Sequence, residues 1–175
     1  MTFIAKGSGE KFAPAPQGTH VARCVQLIDL GTQRTEFYDP IKKEWIVKYQ
    51  RKILLGWELP DESNDAGEPF MVWKRYTLSL HEAAKLRHHL RSWRGRDFTA
   101  DEADSFDVSS VVNKPCLVTV VHNESKGNTY ANVDNIAALP KGSKCPERIN
   151  DIVTFDLDEP NMDVLNSFSD RLQET

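Results

Sequence analysis

The stretch Glu44-Trp45-Ile46-Val47-Lys48-Tyr49-Gln50-Arg51-Lys52-Ile53-Leu54-Leu55-Gly56-Trp57-Glu58 decides the fold class, because its hydrophobic period is two. Trp45, Val47, Tyr49, Arg51, Ile53, Leu55 and Trp57 share one face, and Lys48, Gln50 and Lys52 share the other. That alternation belongs to a strand with one buried side. Upstream, Thr19–Leu30 is a β-rich run in which Val21, Arg23, Val25 and Leu27 alternate with Ala22, Cys24, Gln26 and Ile28, until Gly31 breaks it. A polar connection with Asp39-Pro40 joins the two runs. Before Thr19, Met1–Gly18 mixes Gly7, Gly9, Pro14 and Pro16 with polar residues and reads as a flexible arm.

Downstream, Pro60–Gly67 is turn chemistry, and Pro69–Ser79 forms a third strand. Its Phe70, Val72, Tyr76 and Leu78 point inward, and Met71, Trp73, Arg75 and Thr77 outward. Lys74 falls in the inward set and predicts a twist or bulge. Ser79-Leu80-His81-Glu82 matches the Ser-x-x-Glu capping box, so a helix is expected from there through Ala83, Leu86, Leu90 and Trp93 to Gly95. Thr99-Ala100-Asp101-Glu102 is a second box and starts a shorter helix toward Phe106. Pro115–His122 and Thr129–Leu139 resume strand patterning around a turn at Asn123–Asn128, and Met162–Gln173 has helical spacing through Val164, Leu165, Phe168 and Leu172.

Three strands, a helix and two strands are the order of a five-stranded, partly open barrel of the oligonucleotide/oligosaccharide-binding (OB) type, mainly β with a helical insert. Another α+β sandwich is the structural alternative. The domain boundaries that follow are an N-terminal arm over 1–18, an OB-like domain over 19–142, and an acidic tail over 143–175 with a short helix.

The chain has 175 residues and a formal charge of −4, which by itself argues against a nucleic-acid binder. The charge is not evenly spread. Residues 145–175 hold eight acids (Glu147, Asp151, Asp156, Asp158, Glu159, Asp163, Asp170, Glu174) against Arg148 and Arg171, a net of −6, and residues 1–144 carry a net of +2. A basic body with an acidic tail is a prior for nucleic-acid contact or for an interaction tail. No apolar run reaches the roughly 18 residues of a membrane span, and Met1–Pro16 carries Lys6, Glu10 and Lys11 in place of a signal-peptide core, so a soluble cytosolic chain is expected.

Neither phosphate-binding glycine loops nor metalloprotease or nucleophile-elbow motifs occur, so the expectation is a non-catalytic protein without cofactor or metal. His81, His88 and His89 lack metal-ligand spacing, and Asp156-Leu157-Asp158-Glu159 reads as solvated. Cys24, Cys116 and Cys145 are odd in number and widely spaced; Cys24 and Cys116 sit in apolar runs, as buried thiols do.

Proteins that hold unpaired strands combine a cationic groove with aromatic rings on which bases stack, worth ~1–3 kcal/mol per base. Trp73, outward and flanked by Lys74 and Arg75, is the leading stacking candidate, with Trp45, Tyr49 and Tyr130 behind it. Lys48, Lys52 and Arg75 on the strands are the phosphate candidates there. On the helix, Glu82–Arg96 has a formal charge of +4, and Arg87 and Arg91 are its candidates for phosphate contact.

The segments YTLSLHEAAKLRHHLRSWRGRDFT (76–99) and NKPCLVTVVHNESKGNTYANVDNIAALPKG (113–142), with GTHVARCVQLIDLGTQ and QRKILLGWELP upstream, resemble a family of small bacteriophage early proteins encoded among replication and recombination genes. The resemblance spans about residues 18–142. It implies single-stranded DNA binding in phage DNA replication or recombination, in the host cell cytoplasm, and supplies no catalytic residue. Single-stranded DNA as partner, replication or recombination proteins recruited by the acidic tail, and a homo-oligomer are the expected interactions. The chain lacks the acidic-Pro-Phe tip by which host-type single-stranded DNA-binding proteins recruit partners. The alternative function is a protein-binding accessory or an inhibitor of a host nuclease or defence factor.

Overall fold

A computed structural model describes residues 13–175. Its strands are β1 (Gly18–Asp39), β2 (Glu44–Ser63), β3 (Pro69–Thr77), β4 (Pro115–Ser125), β5 (Asn128–Ala137) and β6 (Val153–Phe155). The helices are short: α1 (Lys85–Arg94), α2 (Ala100–Ser105), α3 (Met162–Ser167) and α4 (Asp170–Gln173). The sheet runs β3-β2-β1-β4-β5, antiparallel along this path, and β6 adds to β1 in parallel. It is mainly β and not closed, since β3 and β5 share no ladder.

β1 and β2 are far longer than the core they serve. β4 pairs with Gly18–Arg23, β6 with Gln26–Ile28 and β3 with Lys52–Ser63, so among the described residues Thr32–Asp39 and Glu44–Arg51 pair only with each other and form a two-stranded ribbon. Asp39 closes its tip by accepting the N–H groups of Ile41 and Lys42. Gly31 does not end β1. It adopts φ 68° in a register irregularity between Asp29 and Thr32, the bulge that a glycine permits, and its missing Cβ leaves room for Leu157.

The main core lies between the sheet and α1. Ile53, Leu55, Trp57 and Leu59 of β2 meet Val72 and Tyr76 of β3, Val118 and Val120 of β4, Val133 and Ile136 of β5, and Leu86 and Leu90 of α1. Cys24 and Cys116 are buried free thiols in this core, and burial pushes the Cys24 thiol up to about 12.

The Ser79–Glu82 capping box does not form. α1 starts at Lys85 with Ala84 as an uncapped N-terminus, and the Ser79 hydroxyl accepts the His81 N–H in a local turn. Burial of Leu86 and Leu90, worth about 2 kcal/mol each, holds the helix in place of a cap. At its other end Gly95, φ 75°, donates to Arg91 O as expected. The Thr99–Glu102 box at α2 is complete.

Lys74 makes no bulge. The β2–β3 register runs unbroken through it, and its ammonium donates to Val133 O of β5 at 2.6 Å, spanning the open side of the sheet. Leu78, expected inward, is exposed just past the end of β3.

The expected arm falls mostly on residues 1–12, outside the described residues. Ala15, within the same span, is buried, and its carbonyl accepts from His122 Nε2 at 2.7 Å, so residues 13–17 are part of the fold. The acidic segment is docked as well. Fully buried Glu58 accepts from the N–H of Ile149 (2.8 Å) and from the N–H and side-chain amide of Asn150 (2.6 and 2.7 Å). β6 follows, and the expected helix over Met162–Gln173 divides at Phe168-Ser169 into α3 and α4. Val164, Leu165, Phe168 and Leu172 then pack on Ile28, Leu30, Leu54 and Phe155 as a second, smaller core.

Candidate nucleic-acid interface

Register determines which side chains share a face. Lys52 stands opposite Thr77, Leu54 opposite Arg75 and Gly56 opposite Trp73, so Lys52, Arg75 and Trp73 lie on the sheet face away from the main core. Lys48 and Gln50, at even spacing from Lys52, continue this face onto the ribbon. Here a groove of about 1010 Å³ opens between the ribbon, the end of β3 and the segment leading into α1. Its cationic walls are Lys48, Lys52, Arg75 and Lys85, with His81 and Tyr76 beside them, and among the described residues no carboxylate lines it. Arg34 borders it too, but its register partner is Tyr49, which puts its side chain on the other face of the ribbon.

Arg34 is paired with Glu36. Among the described residues, Lys48, Lys52, Arg75 and Lys85 have no ion-pair partner. Lys52 donates to Thr77 Oγ1, and the Lys48 ammonium lies 5.1 Å from the Phe37 ring centre. His81 Nδ1 accepts the Ala83 N–H, which leaves Nε2 as its free polar atom.

Arg75 also belongs to a second cleft, of about 360 Å³, between the same sheet face and α3–α4. Trp73 forms one wall at 46% exposure, and its Nε1 donates to Gln26 Oε1 at 2.7 Å, which sets the ring orientation. The ring lies directly over Gly56, where any Cβ would come within 2.8 Å of Trp73 Cδ1. Ile28, Leu54, Phe168 and Leu172 give apolar walls, and Arg171 is the second cation.

The other expected site residues are not gathered here. Trp45 and Tyr49, each 69% exposed, stand on the ribbon face opposite Lys48, and Tyr130, 51% exposed, is on the β4–β5 hairpin opposite Asn123. None of the three lines either cleft. Arg87 and Arg91 face a different partner. Arg87 Nε is 3.1 Å from Asp97 and its other nitrogens donate to Leu80 O and Phe98 O, while Arg91 is 3.8 Å from the same carboxylate. Arg94 and Arg96 are paired with Glu102 at 3.1 and 3.0 Å. Of the helix's cations, Lys85 alone lines the groove.

His81, Lys85 and Arg171 are thus additions to the site. Arg171 lies in a segment whose acidic sum masks its two cations. Only the approach of the segment leading into α1 to the ribbon, and the docked position of α4, reveal them.

Two polar clusters flank the interface, each built on a buried residue, Asp29 or His89. Arg51 pairs with Asp29 and with Asp158 (3.0 Å) and Asp156 (3.7 Å), binding the acidic segment to the sheet. Burial alone would raise the Asp29 carboxyl, but hydrogen bonds from Arg51 and from the Gly31 N–H hold it below its usual value. Behind the groove, the Tyr76 hydroxyl donates to His89 Nδ1 at 2.7 Å. Burial, with Lys85 and Lys74 nearby, pushes His89 down to about 4, and burial likewise lowers Lys74.

Among the described residues, no group of three or more His, Cys, Asp or Glu is placed to hold a metal ion, and no helix is long and apolar enough to cross a membrane. Compared with models of known protein families and with curated proteins, the chain matches none.

Proposed function

We propose that this protein binds single-stranded DNA without catalysis, as an OB-like module of bacteriophage DNA replication or recombination. The groove of Lys48, Lys52, Arg75 and Lys85, free of carboxylates among the described residues, is the observation that carries the reading. Among the described residues these four cations have no ion-pair partner, so phosphates are the complementary ligand, and Trp73 beside Arg75 offers a ring for a base. The strand order, with α1 between β3 and β4, supports the OB-like assignment, as does the approach of β3 and β5 through Lys74 and Val133 O. In OB folds the face of strands 2 and 3 is the oligonucleotide surface, and here it carries Lys52, Trp73 and Arg75. The phage setting follows from the sequence resemblance.

Titration of a ~30-nucleotide strand, followed by fluorescence at low and moderate salt, tests the reading. Micromolar or tighter binding that weakens steeply with salt is expected. No binding, or binding indifferent to salt, overturns it.

A second reading rests on the other side of the ribbon. Tyr38, Trp45, Val47 and Tyr49 are exposed there, and the Arg34–Glu36 pair nearby adds no net charge. A neutral aromatic surface suits a protein partner, as in an accessory factor or an inhibitor of a host nuclease or defence factor. Replacing Trp45 and Tyr49 with Ser separates the two, since it leaves DNA affinity within about twofold on the first reading of the groove.

A further inference from the structure

We infer that the docked acidic segment is part of the DNA site: α4 supplies Arg171 to a seat for one nucleotide, whose base lies on Trp73 and whose phosphates are held between Arg75 and Arg171. This rests on the DNA-binding reading of the groove and extends it into the second cleft.

The segment 145–175 has a net charge of −6, which by itself predicts repulsion of a phosphate chain. Its docked conformation separates the charges. Asp156 and Asp158 turn to Arg51, and Asp151 pairs with Arg148. Asp163, Asp170 and Glu174 are exposed and line neither cleft. The side that faces Trp73 presents Ser167, Phe168, Ser169, Arg171 and Leu172, without a carboxylate. Of the segment's two cations Arg148 is paired, and among the described residues Arg171 has no ion-pair partner.

The seat has the parts that a stacked nucleotide needs. Trp73 is half exposed and fixed by Gln26, and the absence of a side chain at Gly56 lets its ring lie close over β2. Apolar Ile28, Leu54 and Phe168 wall the space, which at about 360 Å³ is at the small end of the ~300–1,000 Å³ of ligand sites and has room for a stacked base. Arg75 lines both cavities, so the seat continues the groove and one backbone can pass from Lys48 and Lys52 to Arg75 and on to Arg171. A duplex keeps its bases stacked inside and cannot use the seat, which favours single strands.

The full chain is titrated with a ~20-nucleotide oligothymidine, and tryptophan fluorescence and the salt dependence of affinity are recorded for the original protein, Arg171→Ala, Arg171→Glu and Arg171→Lys, with Lys48→Ala as the groove control. Arg171→Ala is expected to weaken binding about fivefold and to reduce the salt slope by ~0.7. Arg171→Glu weakens it further, and Arg171→Lys retains most of it. Since Arg171 is exposed, thermal unfolding stays as in the original protein. If Arg171→Glu binds normally while Lys48→Ala weakens binding, the seat is refuted and the groove stands. If Lys48→Ala has no effect either, the DNA-binding reading fails with it.

Discussion

Two cationic regions of this protein differ in one respect that composition hides. α1 and the turn after it concentrate Arg87, Arg91, Arg94 and Arg96, yet Asp97 and Glu102 answer all four, and Arg94 is further spent on the rings of Phe98 and Phe106, 4.1 and 5.4 Å away. The strand face has fewer cations per residue, with Lys48 and Lys52 four positions apart and Arg75 on the neighbouring strand, and among the described residues none of the three has an ion-pair partner. A local density of positive charge therefore does not identify a phosphate surface. What matters is whether the fold has already supplied the counter-charge.

The largest break in this comparison is expected from combined Lys48→Ala, Lys52→Ala and Arg75→Ala, which should lower single-strand affinity about 100-fold at low salt and flatten the salt slope by ~2, at ~0.7 per lost contact. A loss below about fivefold would mean that the unpaired face is only solvated.

Next in size is an acid effect located between the two regions. An unfolded histidine takes up a proton near pH 6.5, whereas buried His89 resists until about 4, so the unfolded state binds more protons across that window. Stability is intact above pH 6.5 and falls by about 2 kcal/mol on the way to pH 4. Chemical denaturation at stepped pH measures this, and His89→Asn, which keeps an acceptor near Nδ1 for Tyr76, should flatten the dependence. Asp97 loses its proton more readily than usual because it accepts the Phe98 N–H and hydrogen bonds from Arg87, so the helix pairs should outlast the His89 contact as pH falls.

Arg94→Ala sharpens the contrast from the other side. It should cost about 1–2 kcal/mol in unfolding experiments, by loss of the half-buried contact with Phe98 and Glu102, and leave DNA affinity unchanged. The smallest effect is expected for Arg91→Ala with Arg96→Ala, within twofold in affinity. A tenfold loss there would return the helix to the interface.

Much of the fold is legible from alternation, because a buried face imposes its period on any strand. The stretch 44–58 shows both the strand and its two faces, and the outward direction of Trp73 and Arg75 follows from Val72 and Tyr76 beside them. The limits of that signal are physical. Trp45 and Ile53 share a face, but the neighbouring strands end near Arg51, so the same periodicity covers a core at one end and an exposed ribbon at the other. The Ser79–Glu82 motif has the right letters, yet packing of Leu86 and Leu90 sets where the helix begins. β6, with Val153–Phe155 as its whole length, is too short to show a period, and its register with β1 depends on partners more than a hundred residues away. For the site, the cations of one strand can be paired in advance. The joining of Arg75 to Arg171 cannot, since it needs the docked position of α4.

That docking has a consequence for the order of assembly. Trp73 and the groove form from one continuous run of chain, but Arg171 arrives only after β6 has found β1 across a long loop, a slow closure for few contacts. The nucleotide seat is therefore the last part of the interface to be completed as the polypeptide folds, and the first to come apart under mild denaturant, while the groove beside it persists.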